Sequence, residues 1–150
     1  MLNKLLPSLL LLISVSIPSI VLADLSHEIE SMVTCNLNDE NPEIAKAIYD
    51  GNQFKPEGEN FYTPTNKITA FGYEVKYFGV RGVDMVPGPN ITVKGQFEDV
   101  KKTILGKVNN KFECGPGDCG AKVNPVVQIM IYSHPNDKNL TIIQCGILRP

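Results

Sequence analysis

The sequence predicts an α+β domain in which an antiparallel sheet carries about three helices on one face and disulfides brace the fold. Three observations support this fold class. Some segments have apolar residues at helical spacing, and other, separate segments have alternating β-branched and aromatic residues. Several strand patterns follow one another closely enough to pair antiparallel, and an even number of cysteines follows an export signal. We therefore expect a single disulfide-braced domain.

Residues 1–23 have the pattern of a cleavable secretory signal peptide. Lys4 supplies positive charge, and the apolar run at residues 9–17 is too short to span a bilayer. Val-Leu-Ala then precedes Asp24, which predicts cleavage before that residue. An uncleaved N-terminal anchor is the alternative. We expect residues 24–150 to be periplasmic or secreted, with no membrane span after cleavage.

The charge pattern argues against a nucleic-acid partner. The whole chain has a net charge of −2, and its only arginines are Arg81 and Arg149. The lysines are scattered singly apart from residues 101–102, so no basic stripe is available for a phosphate backbone.

Three helices are predicted from apolar residues at helical spacing. The first begins after Asp24 or Ser26 and ends near Cys35. The second covers residues 41–51, from an Asn-Pro start to an Asp-Gly stop. The third covers residues 97–105, with acidic residues in its first turn and a glycine beyond its end.

Strands are predicted where β-branched and aromatic residues alternate or form short apolar runs. Residues 53–66 are polar and rich in proline and glycine, so we expect a long surface connection there. A turn is expected at residues 81–89. The predicted strand segments are residues 68–71, 73–80, 91–94, 108–114, 126–132 and 140–145.

Four cysteines, Cys35, Cys114, Cys119 and Cys145, allow three disulfide pairings. The Gly-Pro-Gly turn between Cys114 and Cys119 favours a local bridge, which leaves Cys35 to join the first helix to the last strand through Cys145. Zinc binding is the alternative, but structural zinc sites usually contain two close ligand pairs and this sequence has one.

The sequence shows no recognisable catalytic motif, so we predict no catalytic residues, no metal site and no cofactor. His27 and His134 are expected at the surface, and paired cysteines leave no free thiol as a nucleophile. Glu74 is the one acid that we would place in a cleft, and the outer face of an edge strand is its other interpretation. Asn90-Ile-Thr92 and Asn139-Leu-Thr141 match the glycosylation pattern, which matters only in a eukaryote.

The candidate partner-binding residues lie in two turns. A turn clamped between two cysteines is ordered before binding, and such preorganisation favours affinity. The second turn offers charged and apolar contacts, and ordinary hairpin turns are the alternative interpretation of both. The residues are Gly115, Pro116, Gly117 and Asp118 in the first turn, and Arg81, Asp84 and Met85 in the second.

The clamped turn resembles the bridged loop of the Ivy family of periplasmic lysozyme inhibitors. That loop is closed by a Cys-x-x-x-x-Cys bridge with Pro and Asp inside it and Gly after it. Here Cys114, Pro116, Asp118, Cys119 and Gly120 follow the same order. The family loop carries a histidine where this sequence has Gly117. The resemblance covers about seven residues and implies a small exported protein whose loop enters another protein's site.

The leading functional hypothesis is an exported, non-enzymatic binding protein. It would be a periplasmic inhibitor or immunity protein that blocks a cell-wall hydrolase or a toxin through the clamped turn. A small carboxylate-dependent cell-wall hydrolase and a structural envelope component are the alternatives.

Overall fold

The computed structural model describes the backbone of residues 19–36, 53–80 and 86–148, and their side chains from Leu25 onward. Within these ranges the protein is a mixed α+β domain. It has a nine-stranded antiparallel sheet and two helices, which confirms the predicted α+β class and the antiparallel sheet. The predicted second helix at residues 41–51 lies outside the described residues.

The sheet contains nine strands: β1 (Phe54–Pro56), β2 (Phe61–Pro64), β3 (Thr69–Ala70), β4 (Tyr73–Gly79), β5 (Asn90–Lys94), β6 (Glu113–Gly115), β7 (Asp118–Asn124), β8 (Val127–Ser133) and β9 (Leu140–Ile147). They follow the order β1-β2-β4-β5-β9-β8-β7-β6, and β3 pairs beside β2 on the same edge of β4. Strands β6 to β9 form a meander that returns to the centre of the sheet, where β9 pairs with β5.

The strand register separates the sheet into a core face and an open face. Directly paired residues lie on the same face of an antiparallel sheet. Ile91 pairs with Ile143, and Ile143 pairs with Ile131, so these buried residues share the core face. The alternate set, in which Thr92 pairs with Ile142, lies on the opposite side, which we call the open face.

Helices α1 (Ser19–Val33) and α2 (Phe97–Lys107) both pack on the core face. Their buried residues join one hydrophobic cluster with the sheet. Burial of this kind contributes roughly 25 cal/mol per Å² of apolar area removed from water. The helix residues in this cluster are Leu25, Ile29, Val33, Phe97, Val100 and Ile104.

Helix α1 begins earlier than predicted and ends where expected. Residues 19–23 contain no glycine or proline, so the helix continues through the predicted cleavage position. At its other end, Asn36 N donates to Ser31 O at 2.9 Å and Cys35 N donates to Met32 O at 3.2 Å. With Cys35 at φ 59°, these bonds form a Schellman cap.

Two disulfides brace this arrangement in the pairing that the sequence favours. Cys35 and Cys145 join α1 to β9 across 110 positions of sequence, with a Cα–Cα distance of 5.0 Å. Cys114 and Cys119 join β6 to β7, with a Cα–Cα distance of 4.1 Å. All four cysteines are therefore bridged, and the alternative of a zinc site is wrong.

Three local predictions are wrong. Residues 53–66 are not a plain connection, because β1 and β2 pair with each other and extend the sheet beyond β4. In the predicted strand at residues 108–114, only residues 113–114 are extended into β6, although Val108 and Phe112 pack against the core. Helix α2 also continues through Gly106 to Lys107, because Gly106 keeps helical backbone geometry and does not adopt the positive φ with which a glycine ends a helix.

The carboxylate of Glu30 ties both helices to the turn between β3 and β4. That turn has positive φ at Phe71 (55°) and Gly72 (86°), as in a type I′ hairpin. The Phe71 amide donates to Glu30 Oε1, while Lys107 Nζ lies 3.9 Å from Glu30 Oε2 and 5.4 Å from the centre of the Phe71 ring.

Replacing Glu30 with alanine is expected to lower the free energy of unfolding by about 1–3 kcal/mol, because the Phe71 amide loses its acceptor. Glu30→Gln keeps an acceptor and should lose less. His27→Ala, an exposed change on the same helix, should stay within about 0.5 kcal/mol of wild type. Urea unfolding of the oxidised protein measures all three. Equal stabilities of Glu30→Ala and His27→Ala would contradict this role.

Candidate functional site

A groove of about 560 Å³ runs along the open face of the sheet, on the side away from both helices. This volume falls within the range of small-ligand sites. We call it the open-face groove. Its described lining residues are Glu57, Phe61, Tyr77, Asn90, Thr92, Gly117, Tyr132, Ser133, His134, Pro135 and Ile142.

The floor of the groove combines polar and apolar side chains from the two central strands. Asn90 and Thr92 come from β5, and Ile142 comes from β9. All three are buried. Gly79 pairs with Asn90, and a Cβ at Gly79 would lie 2.6 Å from the Asn90 amide group, so the glycine leaves the space that this amide occupies.

Aromatic rings line the groove on both sides of this floor. Phe61 on β2 and Tyr77 on β4 are 45% and 43% exposed, and Tyr132 lies across the floor on β8. Strand alternation explains this arrangement, because Tyr77 pairs with Thr92 and so faces away from the core that its neighbour Phe78 enters.

Residues 115–118, closed by the Cys114–Cys119 disulfide, form a tight hairpin turn at the rim of the groove. We call this segment the bridged turn. Pro116 fixes one φ, and Gly117 has φ 83°, the combination that type II turns favour. The Ser133 amide donates to Gly117 O at 2.7 Å, so the turn packs against the end of β8 instead of standing free.

The structure describes only one of the two turns that were predicted to bind a partner. In the bridged turn, Gly115, Pro116 and Asp118 are exposed, and Gly117 is half-buried in the wall of the groove. In the second turn, Arg81, Asp84 and Met85 lie outside the described residues. The prediction that they contact a partner stays a prediction for both turns.

His134 and Glu57 bring titratable groups to the groove, although the sequence placed His134 simply at the surface. The Asn136 amide donates to His134 Nδ1 at 3.3 Å, so a neutral imidazole carries its proton on Nε2. Glu57 Oε1 accepts from the Thr63 hydroxyl at 3.1 Å. Both side chains are thus oriented by bonds outside the groove.

Glu74 lies in a separate groove of about 360 Å³ and does not have the environment of a catalytic acid. Lys76 Nζ is 3.0 Å from Glu74 Oε1, and this hydrogen bond and charge hold the pKa of Glu74 below its usual value. Glycoside hydrolysis needs an acid with a raised pKa and a second carboxylate. Of the described residues that line this groove, Glu74 is the only acid.

The two glycosylation patterns have different accessibility. Asn90 is 2% exposed on the floor of the open-face groove, so the folded protein does not offer its amide to a transferase. Asn139 is exposed in the loop between β8 and β9. Only the second tripeptide has the exposure that a surface modification requires.

The described residues offer neither a cluster of metal ligands nor a membrane-spanning helix. In the part of the chain that the structure describes, no three His, Cys, Asp or Glu side chains are grouped so that they could hold a metal ion. No described helix has the length and apolar character needed to cross a membrane.

Sequence reasoning missed most of the open-face groove. Its strand residues come from β2, β4, β5, β8 and β9, and only the strand order brings them together. One local signal was present. Asn90 and Thr92 alternate with Ile91 and Val93, so β5 shows a polar face opposite its apolar one.

Comparison with known proteins adds no relative to this description. No protein-family model, no curated protein and no solved structure matches the chain. The class that the fold and site define is thus a disulfide-braced α+β domain with a groove on the open face of its sheet, and function is argued from the site.

Proposed function

We propose that this protein is an exported, non-enzymatic binding protein that inhibits a cell-wall hydrolase or neutralises a toxin. The bridged turn is the contact segment. The observation that carries this proposal is that the turn is held in place while its outer residues stay exposed. Export through the signal peptide places the domain in the periplasm or outside the cell, where disulfides persist and such partners occur.

Several constraints reduce the conformational freedom of the bridged turn. The disulfide joins Cys114 to its directly paired residue Cys119, and Gly115 pairs with Asp118 on the two strands. The hydrogen bond from Ser133 to Gly117 adds a tether to β8. A segment ordered in this way loses little entropy when it binds, so more of its contact energy appears as affinity.

The bridged turn is accessible at one edge of the sheet. Strand β6 is at the edge of the sheet, and all three of its residues are exposed. The turn that follows it is therefore accessible to a second protein. Gly117 stands where the Ivy loop has a histidine. From that resemblance the proposal therefore takes only the class of protein, an exported protein whose loop enters another protein's site.

Pro116→Ser is expected to weaken inhibition of the target enzyme roughly tenfold or more, because it removes an exposed contact and loosens the turn. The measurement is the rate of peptidoglycan hydrolysis by a panel of cell-wall hydrolases, a lysozyme among them, as the oxidised protein is added.

Pro125→Ser is the matched control. Pro125 is also an exposed proline in a hairpin turn, but it lies between β7 and β8, at the other end of β7 from the bridged turn. Its replacement should leave inhibition unchanged. Equal inhibition by wild type and Pro116→Ser would remove the bridged turn from the account, and failure to inhibit any hydrolase or toxin tested would refute the inhibitor proposal.

A further inference from the structure

The open-face groove contains exposed aromatic residues. The proposed contact between the bridged turn and a partner protein gives these residues no role. Phe61 and Tyr77 are two of the most exposed large apolar side chains in the described residues, and they lie on neighbouring strands. Phe61 pairs with Gly79, so no intervening side chain separates its ring from the Asn90 end of the floor. Together they present aromatic surface to a ligand that lies along the groove.

The floor beneath the rings is suited to hydrogen bonding with a ligand that has many hydroxyl groups. On the floor, the hydroxyl of Thr92 contains a donor and an acceptor. The hydroxyls of Tyr77 and Ser133 add the same chemistry at the sides. A purely apolar ligand would offer these three hydroxyls no hydrogen bond, whereas a ligand rich in hydroxyls can both donate to them and accept from them.

The charge of the lining argues against an anionic ligand. Among the described residues that line the groove, none is a lysine or arginine, and Glu57 is the only carboxylate. A phosphate or carboxylate ligand would meet no lysine or arginine there and would share the groove with the carboxylate of Glu57. The charges of the residues that line the groove thus favour a neutral ligand.

The backbone of the groove argues against an added peptide strand. The groove floor is formed by β5 and β9, each of which is already paired with a strand on both sides. Recognition by strand addition requires an unpaired sheet edge. A ligand on this floor therefore cannot bind by adding a strand to β5 or β9.

We propose that the open-face groove binds a neutral saccharide. One face of a sugar ring carries C–H groups that pack on an aromatic ring, and its rim carries hydroxyls that bond to side-chain hydroxyls such as those of Thr92 and Ser133. The apolar face would lie against Tyr77 and Phe61. This activity goes beyond the proposed inhibition and requires no protein partner.

Titration calorimetry on the oxidised mature protein tests the proposal with three neutral probes: maltotriose, cellotriose and triacetylchitotriose. At least one is expected to bind with a dissociation constant in the millimolar range or below. Tyr77→Ala should weaken that binding roughly tenfold, because one stacking ring is lost. Tyr77→Phe should retain most of the affinity, and Phe61→Ala provides a second truncation in case Tyr77→Ala does not fold.

Leu105→Ala is the matched control, since Leu105 is an exposed apolar residue on α2, away from the groove. It should bind the saccharide as wild type does. The proposal is overturned if no neutral probe binds, if trigalacturonate binds more tightly than the neutral probes, or if truncation of both rings leaves affinity unchanged. Pro116→Ser lies outside the groove lining, so lost inhibition with retained saccharide binding separates the two proposals.

Discussion

Replacing Cys35 and Cys145 together with alanine is expected to lower the free energy of unfolding by about 5 kcal/mol. The bridge closes a loop of 110 positions, and in the chain-entropy model a loop of this length restricts the unfolded chain strongly. Alanine is preferred to serine, because Cys145 is completely buried and a hydroxyl there would need a hydrogen-bond partner. A loss of this size is comparable to the whole stability of many domains.

The control for this change is the double replacement of Cys114 and Cys119. Their bridge spans five positions, so the same model gives about 2 kcal/mol. Urea unfolding of both variants measures the difference. If the first pair costs no more than the second, the bridge from α1 to β9 does not have the stabilising role assigned to it.

Replacing Gly88 with alanine is expected to destabilise the fold by about 3–5 kcal/mol. Gly88 is buried with φ 142°, and a Cβ there would lie 1.8 Å from the carbonyl oxygen of Cys145. The backbone has no room to move away, because Cys145 N donates to Pro89 O at 3.0 Å and Ile147 N donates to Pro87 O at 2.8 Å. The added methyl group must therefore break the pairing that extends β5 along β9.

Gly106→Ala should have the opposite effect. Gly106 lies in α2, where nothing is within 4 Å of an added Cβ, and alanine favours a helix by up to about 1 kcal/mol over glycine. Thermal unfolding of the two variants gives the comparison. A Gly88→Ala variant as stable as wild type would show that the contact with Cys145 is not as close as described.

The sequence predicted those elements in which local pattern and final environment agree. Helix α2 was found because Phe97, Val100 and Ile104 recur at helical spacing and all three are buried against the sheet. Strands β5, β8 and β9 were found within one to two residues, since their apolar residues occupy the central positions of the sheet. For such segments, propensity and tertiary packing favour the same structure.

Elements defined by distant pairing were missed. The segment containing β1 and β2 has prolines at positions 56 and 64 and polar neighbours, which argues for a loop. It becomes a hairpin because Tyr62 pairs with Phe78 of β4 and its ring packs against the core. That contact depends on the fold of β4, so no local pattern could reveal it.

The candidate site was predicted in the same partial way. Cysteine spacing predicted the bridged turn, because both cysteines of a local disulfide and the turn residues between them lie close together in the sequence. The open-face groove was not predicted, because Tyr77, Thr92 and Tyr132 become neighbours only through the order β4-β5-β9-β8. The contact between Gly117 and Ser133 that joins turn and groove is equally non-local.

We propose that the open face and the bridged turn form the binding surface, while the helical face is structural. Amide chemical-shift mapping of the isotope-labelled, oxidised protein distinguishes the two faces, with an inhibited hydrolase and a neutral trisaccharide as ligands. We expect the hydrolase to perturb Gly115, Gly117 and Asp118, and the saccharide to perturb Tyr77 and Thr92. Perturbations confined to α1 and α2, or none with either ligand, would contradict the account.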